Sequence, residues 1–286
     1  MRLKFWGVRG SIAVPGSSTI RYGGNTPCVE VSTAENIFIL DAGTGIRELG
    51  NHISGSNDCR NIHLMISHTH WDHLLGIPFF KPMFNNKCSV RVYFSREADH
   101  SMTEVIDALM HPHFFPVSKS AFSANISYIP VDPDMPLNVD DISVELFRVN
   151  HSRGTLAYKL KHNGKSVVYM TDNEIEYSGL DIPDGRRKMA ELNEKAIEFC
   201  SGCDYLIHDS TYLVRNYEGK RGWGHSNNAA LAMFAGLAGV KNLILFHYDP
   251  EYSDDIVDEM LRDTAELLKS SEIRCIAACE GLEINV

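Results

Sequence analysis

The chain has 286 residues, 44% hydrophobic and 22% charged, enough to bury one large core or two smaller ones. Its formal net charge of −10 lacks the basic excess of a protein that grips a long nucleic acid, so a small anionic substrate is favoured over a polymer. The longest apolar run, Ala229 to Val240, is too short to span a bilayer, and Met1-Arg2-Leu3-Lys4-Phe5 has no secretory apolar core, so the expected location is cytoplasmic, with seven reduced cysteines.

Leu3 to Val8 reads as a first strand, followed by a loop rich in glycine, Pro15-Gly16 and Tyr22-Gly23-Gly24-Asn25. Glycines there allow positive φ and close backbone approach, which suits an anion-binding nest or an ordinary connection between strands. Cys28 to Ser32 and Ile37 to Leu40 form a hairpin around Ala34-Glu35-Asn36, and the second strand delivers Asp41 into Gly43-Thr44-Gly45. Ile62-His63-Leu64-Met65-Ile66 reads as a buried strand. Directly after it stands Ser67-His68-Thr69-His70-Trp71-Asp72-His73, and Leu74 to Ile77 has the character of a helix start. Three imidazoles and a carboxylate within six positions form a metal-ligand constellation suited to zinc, manganese or iron. His68 and His70 alternate along an extended segment and point the same way, whereas Asp72 and His73 fit a turn and a second ion.

Ser89 to Phe94 is a further strand, and Glu97 to Met110 has helical spacing. His111-Pro112-His113-Phe114-Phe115-Pro116 is a histidine- and aromatic-rich loop, either a pocket wall that stacks on a base or sugar or a structural loop. Strands are expected at Ser127 to Val131 and Ile142 to Val149, the latter leading into His151. Leu156 to Leu160 and Ser166 to Met170 form a hairpin turned by Asn163-Gly164, with Asp172 at its exit. Asp184 to Phe199 has helical spacing, and Cys200-Ser201-Gly202-Cys203 reads as two small apolar side chains, since no second CxxC completes a zinc site. Tyr205 to Ile207 runs into His208-Asp209-Ser210-Thr211-Tyr212, and Ser226 is the expected N-cap of a helix after Trp223-Gly224-His225. Leu243 to Phe246 delivers His247, Asp254 to Ser270 is an amphipathic helix, and strands at Ile273 to Ala277 and Leu282 to Val286 close the chain.

The His-x-His-x-Asp-His run from His68 to His73 resembles the signature of the metallo-β-lactamase fold superfamily. Asp41, His151, Asp172 and His247 match its other motifs in order. His208-Asp209-Ser210-Thr211 and Gly224-His225-Ser226 resemble the paired motifs of its phosphodiesterase branch, ribonuclease Z and the small cyclic-phosphate and cyclic-nucleotide phosphodiesterases, with aspartate in place of glutamate.

The resemblance implies one domain over residues 1–286, with an α/β four-layer αββα sandwich of two mixed sheets. It implies two divalent ions, zinc first and manganese as the alternative, with a water activated between them. His68, His70 and His151 would hold one ion, Asp72, His73 and His247 the other, and Asp172 would bridge them. Asp41 would support the ligands by hydrogen bonding. Asp72 would accept a proton from the nucleophile, and His225, oriented by Asp209, would protonate the leaving group. Arg9, Arg21 and Asn25 match a loop that borders the pocket in the cyclic-phosphodiesterase branch.

The expected activity is hydrolysis of a small, cyclic phosphodiester, a cyclic nucleotide or a ribose cyclic phosphate, by an enzyme that forms homodimers as related phosphodiesterases commonly do. The alternatives are a ribonuclease Z-like RNA endonuclease and a non-phosphodiester hydrolase on the same fold. Against the first, only positions 152–171 separate His151 from Asp172, where ribonuclease Z commonly carries a long arm for transfer RNA.

Overall fold

Alternation of apolar side chains along short β-branched segments produces most of the regular structure. The computed structural model describes residues 1–56, 61–176 and 184–286. Strands β1 to β6 are Arg2–Gly7, Cys28–Ser32, Asn36–Leu40, Asn61–Met65, Ser89–Ser95 and Asn125–Val131. Strands β7 to β10 are Leu137–Val139, Ile142–Arg148, Leu156–His162 and Lys165–Met170. Strands β11 to β14 are Tyr205–Asp209, Asn242–Phe246, Arg274–Ala277 and Glu283–Asn285. The helices are α1 (Ile46–Gly55), α2 (Met102–Leu109), α3 (Gly185–Leu192), α4 (Glu194–Cys200), α5 (Val214–Tyr217), α6 (Asn228–Ala238) and α7 (Asp254–Leu268).

The chain divides into two compact units, Met1–Asp132 with Cys279–Val286, and Pro133–Ala278. The first contains a seven-stranded sheet in the order β14-β1-β2-β3-β4-β5-β6. Its pairs are antiparallel from β14 to β3 and parallel from β3 to β6. The register Leu40↔Met65 places the carboxyl ends of β3 and β4 side by side, so Asp41 and the loop after Met65 emerge at one edge. Helix α1 buries Ile46, Leu49 and Ile53, the spacing of one helical face. These side chains share a core with Ile37, Ile39, Leu64, Val90, Val92 and Ile106. Gly50 on that helix sits in close packing: a Cβ would lie 3.0 Å from the Phe80 ring and 3.1 Å from the Lys81 nitrogen, so those neighbours would have to give by a few tenths of an ångström.

The second unit repeats the plan, with a seven-stranded sheet in the order β13-β12-β11-β10-β9-β8-β7. Here β7 to β10 are antiparallel, and β10 to β13 are parallel. The registers Met170↔His208 and Asp209↔Phe246 align the carboxyl ends of β10, β11 and β12. The hairpin of β9 and β10 turns at Asn163 and Gly164, both at positive φ, as a two-residue turn requires. That hairpin occupies most of the interval between His151 and Asp172. Helix α6 buries Ala229, Ala230, Leu231, Phe234, Ala235 and Ala238 and packs against α4 and α7. Helix α7 buries Val257, Met260, Thr264 and Leu268 along one face.

Several local expectations change. The segment after His73 forms short 3-10 turns at Trp71–His73, Ile77–Phe79 and Lys81–Phe84 rather than an α-helix, because Pro78 and Pro82 interrupt helical hydrogen bonding. The helical stretch from Asp184 breaks at Asn193, whose side chain donates to the Met189 carbonyl at 2.8 Å and separates α3 from α4. The N-cap of α6 is Asn227 rather than Ser226: the Asn227 side chain accepts from the backbone N–H groups of Ala229 and Ala230 at 3.1 and 2.9 Å. Among the cysteines, Cys28, Cys200, Cys203, Cys275 and Cys279 are free thiols, but Cys88 is disulfide-bonded, which corrects the expectation of seven reduced ones. Cys59 lies outside the described residues. Cys200 and Cys203 are buried at the junction of α4 and β11, and burial pushes the Cys203 thiol up to about 12. No helix among the described residues is long and apolar enough to cross a membrane.

Candidate functional site

Each unit carries its own cluster of histidine and carboxylate side chains at the carboxyl ends of parallel strands. In the first unit, Asp41 follows β3 in left-handed backbone with φ 63°. One Asp41 oxygen accepts from the Ser67 backbone N–H at 2.7 Å, and the other accepts from the Ser67 hydroxyl at 2.8 Å. The latter oxygen also accepts from the His73 Nδ1 at 2.7 Å. Because the Ser67 hydroxyl proton points to Asp41, its oxygen can only accept from His68 Nδ1, 3.0 Å away. In both His68 and His73, Nδ1 is therefore the proton donor, which makes Nε2 the nitrogen able to bind a ligand when the ring is neutral. The His68 ring centroid lies 4.4 Å from that of His70 and 4.3 Å from that of His73. His73 Nε2 faces the Asp72 Oδ2 at 3.2 Å, and the same Asp72 oxygen accepts from the Ser11 backbone N–H at 2.8 Å.

In the second unit the cluster is assembled from five loops. Asp172 follows β10 and His247 follows β12, both in left-handed backbone with φ 51° and 59°. His247 Nε2 lies 3.1 Å from Asp172 Oδ1, and His151 Nε2 lies 3.6 Å from Asp172 Oδ2. The opposite ring nitrogens are again fixed. His151 Nδ1 donates to the Gly224 carbonyl at 3.0 Å. The Thr211 hydroxyl donates to the His247 carbonyl at 2.9 Å, so its oxygen accepts from His247 Nδ1 at 3.2 Å. Gly224 has φ +82°, and a Cβ there would sit 2.0 Å from His151 Nδ1, so only glycine lets this carbonyl reach the ring.

This donor set fits divalent metal. With the ring neutral, an Nε2 lone pair facing a carboxylate oxygen is a contact between two acceptors, which repel unless a proton or a metal cation lies between them. Two ligands about 2.1 Å from one tetrahedral ion stand roughly 3.4 Å apart. The 3.1, 3.2 and 3.6 Å separations above match that edge.

Beside these candidate ligands in the second unit is a hydrogen-bonded histidine–carboxylate pair. His225 Nδ1 lies 3.2 Å from Asp209 Oδ2, and the His225 ring stacks on that of His247 with centroids 5.1 Å apart. Ligand atoms of Asp172, His225 and His247 all lie within 4.8 Å of one another. Asp209 is fully buried, at the end of β11. Burial works against its charge, but hydrogen bonds with His208 and His225 outweigh that penalty and hold its carboxyl well below the usual carboxylate range. The Ser226 backbone N–H donates to it at 3.1 Å. His208 is a buried partner of this carboxylate, with Nδ1 3.1 Å from Asp209 Oδ1, and its Nε2 accepts from the Asn173 amide at 3.1 Å.

Sequence reasoning missed one carboxylate. Glu174 accepts from the backbone N–H groups of Gly222 and Gly224, each at 2.8 Å, and from the Tyr217 hydroxyl at 2.7 Å. It thereby fixes the short loop whose carbonyl orients His151 and whose next residue is His225. Its only sequence signal is its place two positions after Asp172. Ser67 and Thr211 were likewise given no role. The Arg9 guanidinium is buried and its Nε donates to the Gly23 carbonyl at 2.8 Å. The Asn25 side chain donates to Glu280 at 3.0 Å and accepts from the Thr44 hydroxyl at 2.9 Å. Arg21 is exposed in the same loop of the first unit.

The family model described as the beta-lactamase superfamily domain matches residues 36–248. A ribonuclease Z from Picrophilus torridus is 24% identical over 315 residues, covering 100% of this chain and 96% of that protein. The metallo-beta-lactamase fold protein YhfI from Bacillus subtilis superposes with a TM-score of 0.70 at 15% identity, covering 99% of this chain and 98% of that one. A diphosphatase from the PhnP family gives a TM-score of 0.68 at 17% identity, covering 100% and 97%. The two structural likenesses show the fold, an α/β architecture with two mixed seven-stranded sheets, as the motif resemblance implied.

Proposed function

Because the chain belongs to the beta-lactamase superfamily domain family, whose model covers most of its length, we infer that it is a metal-dependent phosphodiesterase. Its substrate is a small, cyclic phosphodiester, a cyclic nucleotide or a ribose cyclic phosphate. The observation that carries this reading is the His225–Asp209 contact of 3.2 Å next to Asp172 and His247. A diester must expel an alkoxide, a poor leaving group unless protonated, and this pair supplies the proton. A thioester hydrolase, which expels a thiolate that leaves without a proton, has less use for such an acid.

Both units serve one hydrolase domain in this reading. The residues that would hold two divalent ions, zinc first and manganese second, are His68, His70, Asp72 and His73 from the first unit and His151, Asp172 and His247 from the second. When bound, the ions would supply Lewis acidity toward the phosphate and lower the pKa of water. Asp72 accepts the proton of the nucleophile. Asp209 holds His225 through Nδ1, so the proton given to the leaving oxygen comes from Nε2. Buried Asp41, Ser67, Thr211 and Gly224 keep the ligand rings in one tautomer.

A ribonuclease Z-like endonuclease is the second reading, favoured by the curated relative from Picrophilus torridus. Net charge −10 and the short β9–β10 hairpin weigh toward the small substrate. The deciding experiment assays bis(p-nitrophenyl) phosphate and a cyclic-nucleotide panel, with metal content measured on the same sample, beside gel cleavage of a transfer-RNA precursor. Turnover of a cyclic diester without cleavage of the precursor is expected. Precursor cleavage with an inert panel would install the endonuclease instead. In the same assays His225→Ala keeps its metal and loses about 10²–10⁴-fold on a cyclic nucleotide. Full turnover by that variant would remove the acid from the mechanism.

A further inference from the structure

The first unit holds a cavity of about 700 Å³ that opens directly off the ligand-bearing loop. Its rim includes Thr69 and Trp71, the two residues interleaved with His68, His70 and Asp72. One wall is a face of α2, with Val105, Ala108 and Leu109 at the three- and four-residue spacing that brings side chains together on a helix. Met102 and Ile106 on the adjoining face are buried in the core, and Val105 and Leu109 pack against that core while their remaining surface lines the cavity. Leu74, Leu75, Phe114 and the polar His100 and Glu104 complete the lining. Two of these residues are large aromatics with most of their surface in solvent, Trp71 at 74% and Phe114 at 82%. Scattered exposed aromatics need no explanation, but a concave cluster of them beside a catalytic loop is how small-molecule pockets are built.

The polar groups on the rim restrict what can enter. The Glu104 carboxylate is held by the Ser101 backbone N–H and hydroxyl, each at 2.8 Å, in a capping box at the start of α2. These hydrogen bonds, with a smaller contribution from His100, which shares the lining, keep its pKa below the ordinary glutamate value, so it is anionic at neutral pH and disfavours a second phosphate or a carboxylate at its end of the rim. Stacking on exposed indole and phenyl faces favours a flat ring over an alkyl chain.

We propose that this cavity seats an uncharged aromatic arm of the phosphodiester substrate, carried on the alcohol part of the ester whose phosphate the adjoining His68–His73 loop engages. The proposal rests on the phosphodiesterase reading for the position of the phosphate, and on the cavity alone for the identity of the arm. It makes the enzyme selective among diesters by the group that does not bear the reacting charge. Such an arm binds the ground state and the transition state alike, so its effect falls on KM rather than kcat.

The test uses two diesters with one leaving group, methyl 4-nitrophenyl phosphate and phenyl 4-nitrophenyl phosphate, each rate normalised to its uncatalysed reaction. The phenyl arm should raise kcat/KM about tenfold or more, through KM. Calorimetry with dimethyl and diphenyl phosphate on the same metal-loaded protein should show a Kd contrast of about the same size. Ala108→Trp, which fills the cavity from an exposed helix position, should bring both ratios close to one. Phe114→Ala, at a site that contributes nothing to the core, should lower them and serves if the first variant does not fold. Equal kcat/KM and equal Kd for the two arms in the wild type would overturn the proposal while leaving the phosphodiesterase reading intact. So would ratios that survive in a folded Ala108→Trp or Phe114→Ala protein. If no diester is hydrolysed, the reading of function fails, and the calorimetric contrast alone decides whether the cavity takes an aromatic arm.

Discussion

In the first unit, four ligand-type side chains occupy the six positions from His68 to His73, on one loop after β4. In the second, His151, Asp172, Asp209, His225 and His247 come from five separate loops. Both sets are gathered by the same device, the aligned carboxyl ends of neighbouring parallel strands, β3 with β4 and β10 with β11 and β12. The difference is that the four ligand-type residues of the first set are contiguous and need one strand pairing, β3 with β4, to bring Asp41 to them, whereas the second set is assembled only after several strands have paired in register. In the proposed mechanism the first unit contributes candidate ligands, and the second adds the His225–Asp209 pair as proton donor. Proton chemistry therefore depends on long-range pairing, and ligand supply in the first unit does not.

The largest effect expected from breaking this contrast is at Asp172, whose two oxygens face two different imidazoles. Asp172→Ala should lower kcat/KM by about 10³-fold or more and reduce bound metal, read by mass spectrometry of the purified protein. Next come the residues that fix ring tautomers. Asp41→Asn keeps a single acceptor oxygen where three hydrogen bonds converge, and Thr211→Val removes support from His247 together with a 3.3 Å contact to Asp209. Metal affinity should fall by roughly 10–100-fold for Asp41→Asn and less for Thr211→Val, measured by competition with a chelator. The reverse order would show that the second unit dominates metal retention.

Glu174→Gln should cost about tenfold in turnover of a poorly activated diester, with much less lost on a p-nitrophenyl leaving group that needs little protonation. Equal losses on both would mean that Glu174 only stabilises the loop. The smallest effect is on acid stability. Asp209 has its folded pKa depressed, so its contribution is complete above the unfolded value of about 3.9 and is lost as pH falls through the folded value. Urea midpoints of chelated protein should therefore drop below about pH 4, and Asp209→Asn should flatten that drop.

The same contrast explains what the sequence revealed. The His68–His73 cluster announces itself because its members are neighbours, and strands such as Leu243 to Phe246 are evident from apolar patterning. His151, Asp172 and His247 are single residues at strand ends, and only their order relative to a known family made them visible. Glu174 was invisible because its work is done through backbone N–H groups of Gly222 and Gly224, which carry no side-chain signature. The split between α3 and α4 at Asn193 and the cap at Asn227 rather than Ser226 were missed for a related reason. Each turns on which of several nearby polar side chains wins a backbone hydrogen bond, a contest of tenths of a kilocalorie that pattern alone does not resolve.

Asp41, Asp172 and His247 share left-handed backbone, with φ between 51° and 63°. Non-glycine residues in that region carry a conformational cost of about 1–3 kcal/mol each. Deleting the side chain and deleting the tension are therefore separable operations. His247→Gly should melt several degrees above His247→Ala when both are stripped of metal, though both are equally inert. Natural drift toward sturdiness at these positions leads to glycine and away from catalysis, so selection for activity must keep opposing it.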